Sequence, residues 1–427
     1  MADSQIRVLS LNCWGLKYVA KNRNERIEAI AQALSQFDHD IIALQEIWVY
    51  ADYQKVKDRI SRRLPNSKFF YSGALGSGLA IFTRFPIIEA SVHPYALNGS
   101  PIDVGAGDWF VGKAAASIVI LHPVLGPVQV FNTHLFAKGG EDGPEYNRAH
   151  RLVNAYEFAK LARQAAELGR YVIALGDFNS IPPTLPMRVI LDHAGLIDAW
   201  VVTHPNADAS SATTALEAIT KLGMTADSPL NSWSAGKGYA FGTWGKRLDY
   251  VLYRQPKRQY TAPGEKLPVL KARDCRVALT EKVPGHQFSY SDHFALEATL
   301  EIQSSSPTSV IDDIPTELTD ASVSTFIQAL TACYRFSRQR ARKELTVFTL
   351  CILLLVGLAV GSGWLPHSWI NPIFIVFTVF VSWAGTTMLY QGFLYGNWEC
   401  NALMNVIEEL EIYRKGLDIQ ARTSGDY

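Results

Sequence analysis

From Leu345 to Trp398 the chain carries no Asp, Glu, Lys or Arg. Leu345–Leu365 and Ile373–Tyr395 are each apolar enough, and long enough, to cross a bilayer as a helix. Between them, residues 364–372 supply Pro366 and Pro372 to break the helix, with Trp364 and Trp369 suited to the membrane interface. The pair reads as a transmembrane helical hairpin over 345–396. The alternative, a buried hairpin in a soluble body, would need two uncharged runs side by side, which is rare in a chain of this size. Arg335, Arg338, Arg340, Arg342 and Lys343 precede the first run, Arg414 and Lys415 follow the second, and the short link has neither Lys nor Arg. The positive-inside rule then places both ends of the chain in the cytosol. The endoplasmic reticulum is the expected location, with the mitochondrial outer membrane as the alternative.

The rest of the 427 residues is large enough for one sizeable domain. Five cysteines, Cys13, Cys275, Cys333, Cys351 and Cys400, form no CxxC pair and are odd in number. That argues against a disulfide framework or a zinc site and suits a reducing compartment. The polar start, Met1 to Arg7, has no signal-peptide pattern. A formal net charge of zero offers no electrostatic case for nucleic acid as a partner. The expected division is a catalytic domain over 1–302, a linker over 303–320, a basic juxtamembrane helix over 321–344, the hairpin, and a cytosolic helix and tail over 397–427.

Hydrophobic periodicity places strands at Ile6–Leu11, Asp40–Leu44, Gly78–Phe82, Ala115–Leu121, Val128–Asn132, Tyr171–Leu175, 247–253 and Phe294–Ile302. Helices are predicted from Asn24, with Asn22 or Asn24 as cap, and over Asp52–Arg63, Tyr146–Leu168 and Met187–His193. Residues 204–246 read as irregular, apart from a short helix around Ala215–Leu222. Gly176 would let the chain leave its strand in a tight turn. Polar residues cluster at strand ends. Asn12, Glu46, His134, Asp177 and Asn179 follow apolar strands, whereas Asp249 and Asp292-His293 sit at or just before strand starts. In a mixed sheet the start of an antiparallel strand lies beside the finish of its neighbours. All these groups can therefore meet on one rim. Carboxylates with amides and histidines, and no thiolate, suit a hard cation with oxygen ligands, Mg²⁺ first among them. Such a cation can clamp a phosphate ester, and a histidine oriented by an aspartate can serve as general base. There is no G-x-S-x-G for a covalent alternative. The composite reading is metal-assisted hydrolysis of a phosphodiester by water.

Leu11-Asn12-Cys13-Trp14-Gly15, Gln45-Glu46, Asn132-Thr133-His134, Gly176-Asp177-Phe178-Asn179, Leu248-Asp249-Tyr250 and Ser291-Asp292-His293 occur in that order. The set resembles the endonuclease/exonuclease/phosphatase superfamily. Within it, the chain is similar to the neutral sphingomyelinases and most of all to the fungal inositol phosphosphingolipid phospholipases C. The resemblance covers about residues 6–302, and the hairpin fits it. It implies a DNase I-like, four-layer α/β sandwich of two mixed β-sheets flanked by helices. It implies Mg²⁺ dependence and cleavage of a membrane sphingolipid to release ceramide. By the same resemblance, Glu46 and Asn12 hold the metal with Asp292 nearby. Asp177 positions the attacking water, Asn179 and His134 contact the phosphate, and His293 is the base oriented by Asp249. The fungal likeness favours an inositol phosphate headgroup, with phosphocholine as the alternative. A phosphoinositide phosphatase, a nuclease and a catalytically silent membrane adaptor are the further readings.

Gly107-Asp108-Trp109-Phe110-Val111-Gly112-Lys113-Ala114 has P-loop spacing but ends in Ala where Ser or Thr is needed, and a β-like run follows it. It is not a nucleotide site. The sphingomyelinase resemblance implies that Asp108 and Lys113 act as a regulatory switch beside the active site, and the alternative is a surface hairpin with a solvated lysine. The basic cluster Arg335, Arg338, Arg340, Arg342 and Lys343 is expected to bind anionic phospholipids as activators. The loop Phe136–Tyr146 is read as a lid, and Trp233, Tyr239, Phe241 and Trp244 as lipid contacts.

Overall fold

Strands that are apolar along their whole length can be buried only inside a sheet covered on both faces. The computed structural model describes residues 4–105, 107–139, 143–207, 212–234, 244–257, 268–304 and 317–425. In chain order its first half holds β1 (Gln5–Asn12), α1 (Arg23–Gln36), β2 (Ile41–Gln45), α2 (Tyr50–Ile60), β3 (Asn66–Phe70), β4 (Leu79–Thr83), β5 (Ile87–Pro94), α3 (Asp108–Val111), β6 (Ala114–His122) and β7 (Gly126–His134). Then come α4 (Glu145–Glu167), β8 (Tyr171–Asp177), α5 (Leu185–Arg188), β9 (Ile197–Asp198), α6 (Ala199–Thr203), α7 (Ala215–Leu222), β10 (Asp249–Arg254), β11 (Pro268–Ala278) and β12 (Ala295–Ser304). Among the described residues two six-stranded sheets form, in the orders β11-β12-β1-β2-β4-β3 and β5-β6-β7-β8-β10-β9. Each contains a parallel pair, β1 with β2 and β7 with β8, and the other pairings are antiparallel.

The sheets stack face to face. Val8, Ile41, Ala43 and Ile81 of the first meet Ile118, Val130, Ile173 and Leu175 of the second. Ile27, Ile30 and Leu34 of α1, with Val56 and Ile60 of α2, cover the outer face of the first sheet. Leu152, Tyr156 and Ala159 of α4 cover the outer face of the second. This is the four-layer α/β sandwich expected. The strands that periodicity missed are β3, β5, β9 and β11, which are the four sheet edges. Edge strands carry polar side chains that keep them from pairing with other chains, and this blurs the apolar signal. In β5, every position from Glu89 to Pro94 is exposed.

The tail departs from the expected division. α8 (Asp320–Gly361) is one continuous helix, so the basic segment 321–344 is no separate unit. Its Val323, Phe326 and Leu330 recur at helical spacing and pack, with Leu403, Val406 and Leu410, into the cluster built on α4. The charges masked this apolar face. The expected linker over 303–320 also shortens: β12 runs to Ser304, and Leu318 is buried with its N–H donated to the Tyr413 hydroxyl (3.0 Å). Residues 305–316 lie outside the described set.

Beyond the docked part, α8 returns through α9 (Asn371–Leu389) and a wide π-helical turn, Tyr390–Tyr395, into α10 (Gly396–Gly425). Among the described residues two helices are long and apolar enough to cross a membrane, and none of the most apolar stretch of the first is buried in protein. Leu353, Val356, Val360, Phe377, Phe380 and Trp383 face outward. Close packing at the base of the hairpin needs small residues: a Cβ on Gly396 would lie 2.7 Å from that of Ala341.

His193, stacked on Tyr156 (5.3 Å) and edge-on to Tyr413 (5.4 Å), sits where the sandwich meets α10. Burial, aided by Arg163, pushes its imidazole down to about 4. A depressed folded value means the unfolded chain binds the extra proton between about 6.5 and 4, so stability falls as pH falls through that window. His193→Gln should remove up to about 3 kcal/mol of that acid loss. The check is thermal unfolding of both proteins in detergent from pH 7 to pH 4.

Candidate active site

Strand direction gathers the site. β1 and β2 run parallel, with Asn12 paired to Gln45, and deliver Asn12 and Glu46 to one end of the first sheet. β7 and β8 run parallel, with His134 paired to Asp177, and deliver those two to the second. β10 enters antiparallel to β8 with Asp249 opposite Asp177. β12 enters antiparallel to β1, which brings His293 to the same rim. Of the expected strand-end residues, Asn12, Glu46, His134, Asp177, Asp249 and His293 therefore meet. Gly176 acts differently from the tight turn expected. It stays inside β8 at φ +151°, where a Cβ would lie 2.1 Å from the Thr133 carbonyl oxygen, so it permits close approach of β7.

Asn12 bridges the carboxylates of the two sheets. Its Nδ2 donates to Glu46 Oε1 (3.1 Å) and Asp177 Oδ2 (3.0 Å), and its Oδ1 accepts from the Trp14 N–H (3.0 Å). Glu46 and Asn179 are held at φ 53° and 46°, a strained region for residues other than glycine. Burial, then the Asp292 carboxylate, pushes Glu46 up to about 7. Burial, then Asp249, pushes Asp177 up to about 6, while His293 opposes the rise. His293 Nδ1 lies 2.8 Å from Asp249 Oδ2, and its Nε2 lies 3.8 Å from Asp177 Oδ2. Burial alone would lower the His293 pKa, but Asp249 and Asp177 together raise it well above the ordinary value. In this charge state His293 holds a proton, so its expected role as a base needs the field of the carboxylates offset.

His134 behaves oppositely. Burial, then Lys113, drives its pKa well down. Lys113 Nζ donates to His134 Nε2 (3.0 Å) and to the Leu135 carbonyl (2.9 Å), which leaves Nδ1–H without a partner among the described residues. Lys113 is buried, not solvated on a hairpin, and pairs with Asp108 Oδ1 at 3.0 Å. It makes the Asp108 contact and the active-site contact at once. Asn179 donates Nδ2 to the Leu135 carbonyl (3.0 Å) and its N–H to Asp177 Oδ1 (2.9 Å). Asp292 is half-buried beside Ser291, whose hydroxyl is 3.3 Å away. A cleft of about 570 Å³ opens beside Glu46, Asp108, Lys113 and His134, lined also by Leu16, Trp48, Asp103 and Gly107.

Several supporting residues were missed from sequence. Arg26 is buried and donates to the carbonyls of Lys21, Cys13, Trp14 and Tyr290, tying the loop after β1 to the loop before β12. Its signal was a charge inside the apolar face of α1, next to Ile27. The Thr225 hydroxyl accepts from the Asp249 N–H (3.3 Å), and its carbonyl accepts from the Phe294 N–H (2.7 Å). Nothing in the sequence around Thr225 pointed to that role. Trp233 is half-buried, packs on Trp14 and gives its indole N–H to the Ser289 carbonyl, so it supports the loops. Tyr239 and Phe241, and residues 140–142 of the expected lid, lie outside the described residues. Of the basic cluster, Arg340 is engaged by Glu399 and Glu344, whereas Arg335, Arg338, Arg342 and Lys343 are exposed.

Residues 9–293 match the Endonuclease/Exonuclease/phosphatase family. The chain belongs to this family. Among curated family relatives, the Inositol phosphosphingolipids phospholipase C of Schizosaccharomyces pombe is 36% identical over 417 residues, which is 95% of this chain and 94% of that protein. Sphingomyelin phosphodiesterase 2 of Homo sapiens is 30% identical over 309 residues, 71% of this chain and 66% of that protein. Among solved structures, the sphingomyelinase C from Streptomyces griseocarneus aligns with a TM-score of 0.46 at 17% identity, over 69% of this chain and 99% of that one.

The donor set fits a hard cation. Glu46, Asn12 and Asp292 offer oxygen atoms, and the raised pKa of Glu46 marks a carboxylate short of countercharge. Asp177, Asp249 and His293 also come within 4.8 Å of one another, but there the protonated imidazole already supplies positive charge. Asp249→Asn should lower the His293 pKa. A ring titration followed by NMR, unchanged by the substitution, would refute the assignment.

Proposed function

We propose that the chain hydrolyses the phosphodiester of membrane sphingolipids as a phospholipase C, releasing ceramide and the phosphorylated headgroup. The observation that carries this reading is His293 set between Asp249 (2.8 Å) and Asp177 (3.8 Å), on the rim where Glu46 and Asn12 offer oxygen ligands. Inositol phosphosphingolipids are the preferred substrate class, because the relative named for them aligns along 94% of its length, hairpin included. Sphingomyelin is the second reading, on the match to the human sphingomyelin phosphodiesterase.

Asp177 accepts a hydrogen bond from the attacking water and aims it at phosphorus. Lys113 and the Nε2 edge of His134, which lies 3.5 Å from Asp177 Oδ2, face the phosphoryl oxygens as charge develops on them. His293 handles the proton under the control of Asp249. Glu46, Asn12 and Asp292 would hold Mg²⁺, which when bound supplies a Lewis acid for the phosphate and countercharge for the carboxylates. The catalytic body and both chain ends lie in the cytosol. Anionic phospholipids act as activators through Arg335, Arg338, Arg342 and Lys343.

The test is a side-by-side assay of inositol phosphoceramide and sphingomyelin with purified full-length protein. Ceramide release should require Mg²⁺, stop with chelator, and fall on the order of 10²–10⁴-fold in a folded His293→Ala variant. No ceramide from either lipid, or full activity without a divalent cation, would overturn the reading. Replacing the four exposed basic residues by Gln should abolish stimulation by anionic vesicles. Stimulation that survives would remove them from this role.

A further inference from the structure

The hairpin fixes where the bilayer meets the protein. Its body-side end lies where Gly392 and Gly396 pack on Ala341, just before the charge-free run of α8 begins. One loop, residues 95–105, is fastened at that level. The Ser100 hydroxyl bonds to Gln391 (3.4 Å), the Tyr395 hydroxyl to the Gly99 carbonyl, and the Trp398 indole N–H to the Ala96 carbonyl (3.1 Å). The Gly99 N–H is donated to His150 Nδ1 (3.0 Å). Trp398 otherwise stands exposed, as a tryptophan does at a membrane interface. The same loop lines the cleft through Asp103 and Gly105, and Gly107 just beyond it does so too.

Between its fastening and the cleft, this loop presents Ile102 and Val104, 50% and 69% exposed. Exposed apolar side chains beside a cleft, on a loop bonded to the end of a membrane span, have one matching partner among the surfaces nearby: the lipid leaflet that the hairpin enters.

We propose that Ile102 and Val104 form a docking rim that seats in this leaflet. The cleft then opens onto the bilayer, and a lipid headgroup rises into it without its chains crossing water. The proposal rests on the lipid substrate proposed above.

The test uses full-length protein in phosphatidylcholine vesicles containing a nitroxide lipid spin-labelled near the headgroup. A fluorophore attached at Val104→Cys should be quenched several-fold more than one at Leu168→Cys. Leu168 is exposed and lies at the far end of β8 from Asp177. The wild-type protein, treated with the same reagent, corrects for its own thiols. In the unlabelled Ile102→Ser, Val104→Ser double variant, the ratio of activity in vesicles to activity in detergent micelles should fall about ten-fold. Quenching at 104 no greater than at 168, an unchanged ratio, or quenching between copies that is independent of nitroxide lipid would overturn the proposal. If the wild type releases no ceramide while the 104 label is quenched, the substrate reading fails and the docking rim stands.

Discussion

Side-chain amides sew the two sheets together beneath the site, and the geometry above them depends on that seam. Gln45 Nε2 donates to Asn132 Oδ1 (2.7 Å) and to the Ser10 hydroxyl (3.1 Å). Asn132 donates in turn to the carbonyls of Leu44 (2.9 Å) and Ala80 (3.0 Å). One layer higher, Asn12 joins Glu46 to Asp177. A buried amide left unpaired costs about 1–3 kcal/mol. These contacts therefore penalise any slip of one sheet over the other, where an apolar interface alone would tolerate sliding. The result is a fixed distance between carboxylates that belong to different sheets.

Charge is the second constraint. Glu46, Asp177, Asp249 and Asp292 crowd one rim, and burial disfavours the ionised forms of Glu46 and Asp177. Two cations answer them from opposite sides, the imidazolium of His293 and the ammonium of Lys113. Lys113 is shared with Asp108, so the charge that reaches His134 depends on how α3 sits. Two histidines on one rim are thereby set apart, one protonated and one neutral, by which charged groups each touches.

Most of this was legible in sequence, because strand polarity carries it. An apolar run ending in a polar residue marks a sheet's rim, and an antiparallel neighbour beginning with one marks the same rim. Asn12, Glu46, His134, Asp177, Asp249 and His293 all obeyed that rule. The failures have physical reasons. Edge strands such as β5 and β11 carry polar faces. Gly176 was read through its backbone freedom, although its use is the closeness of Thr133. Arg26 and Thr225 act through backbone carbonyls and N–H groups, and such partners leave no trace in side-chain pattern. The basic helix was read by its charges, while its burial is decided by Val323, Phe326 and Leu330 on the face beneath them.

That last correction bears on how a tethered enzyme works. A hairpin joined by a loose linker would raise the local concentration of the catalytic body without orienting it. Here the helix that enters the membrane is the helix that packs on α4, and α10 returns to the same cluster. Arg340, which might have faced lipid, instead meets Glu399 from α10, and His150 from α4 reaches the same carboxylate at 2.9 Å. Three helices thus share one buried polar junction. Leaving any of its charges unpaired would be costly, so the span cannot tilt freely against the sandwich. The angle of the hairpin and the direction in which the cleft opens are set by one packed body, which makes the orientation of the active site over the bilayer a property of the fold.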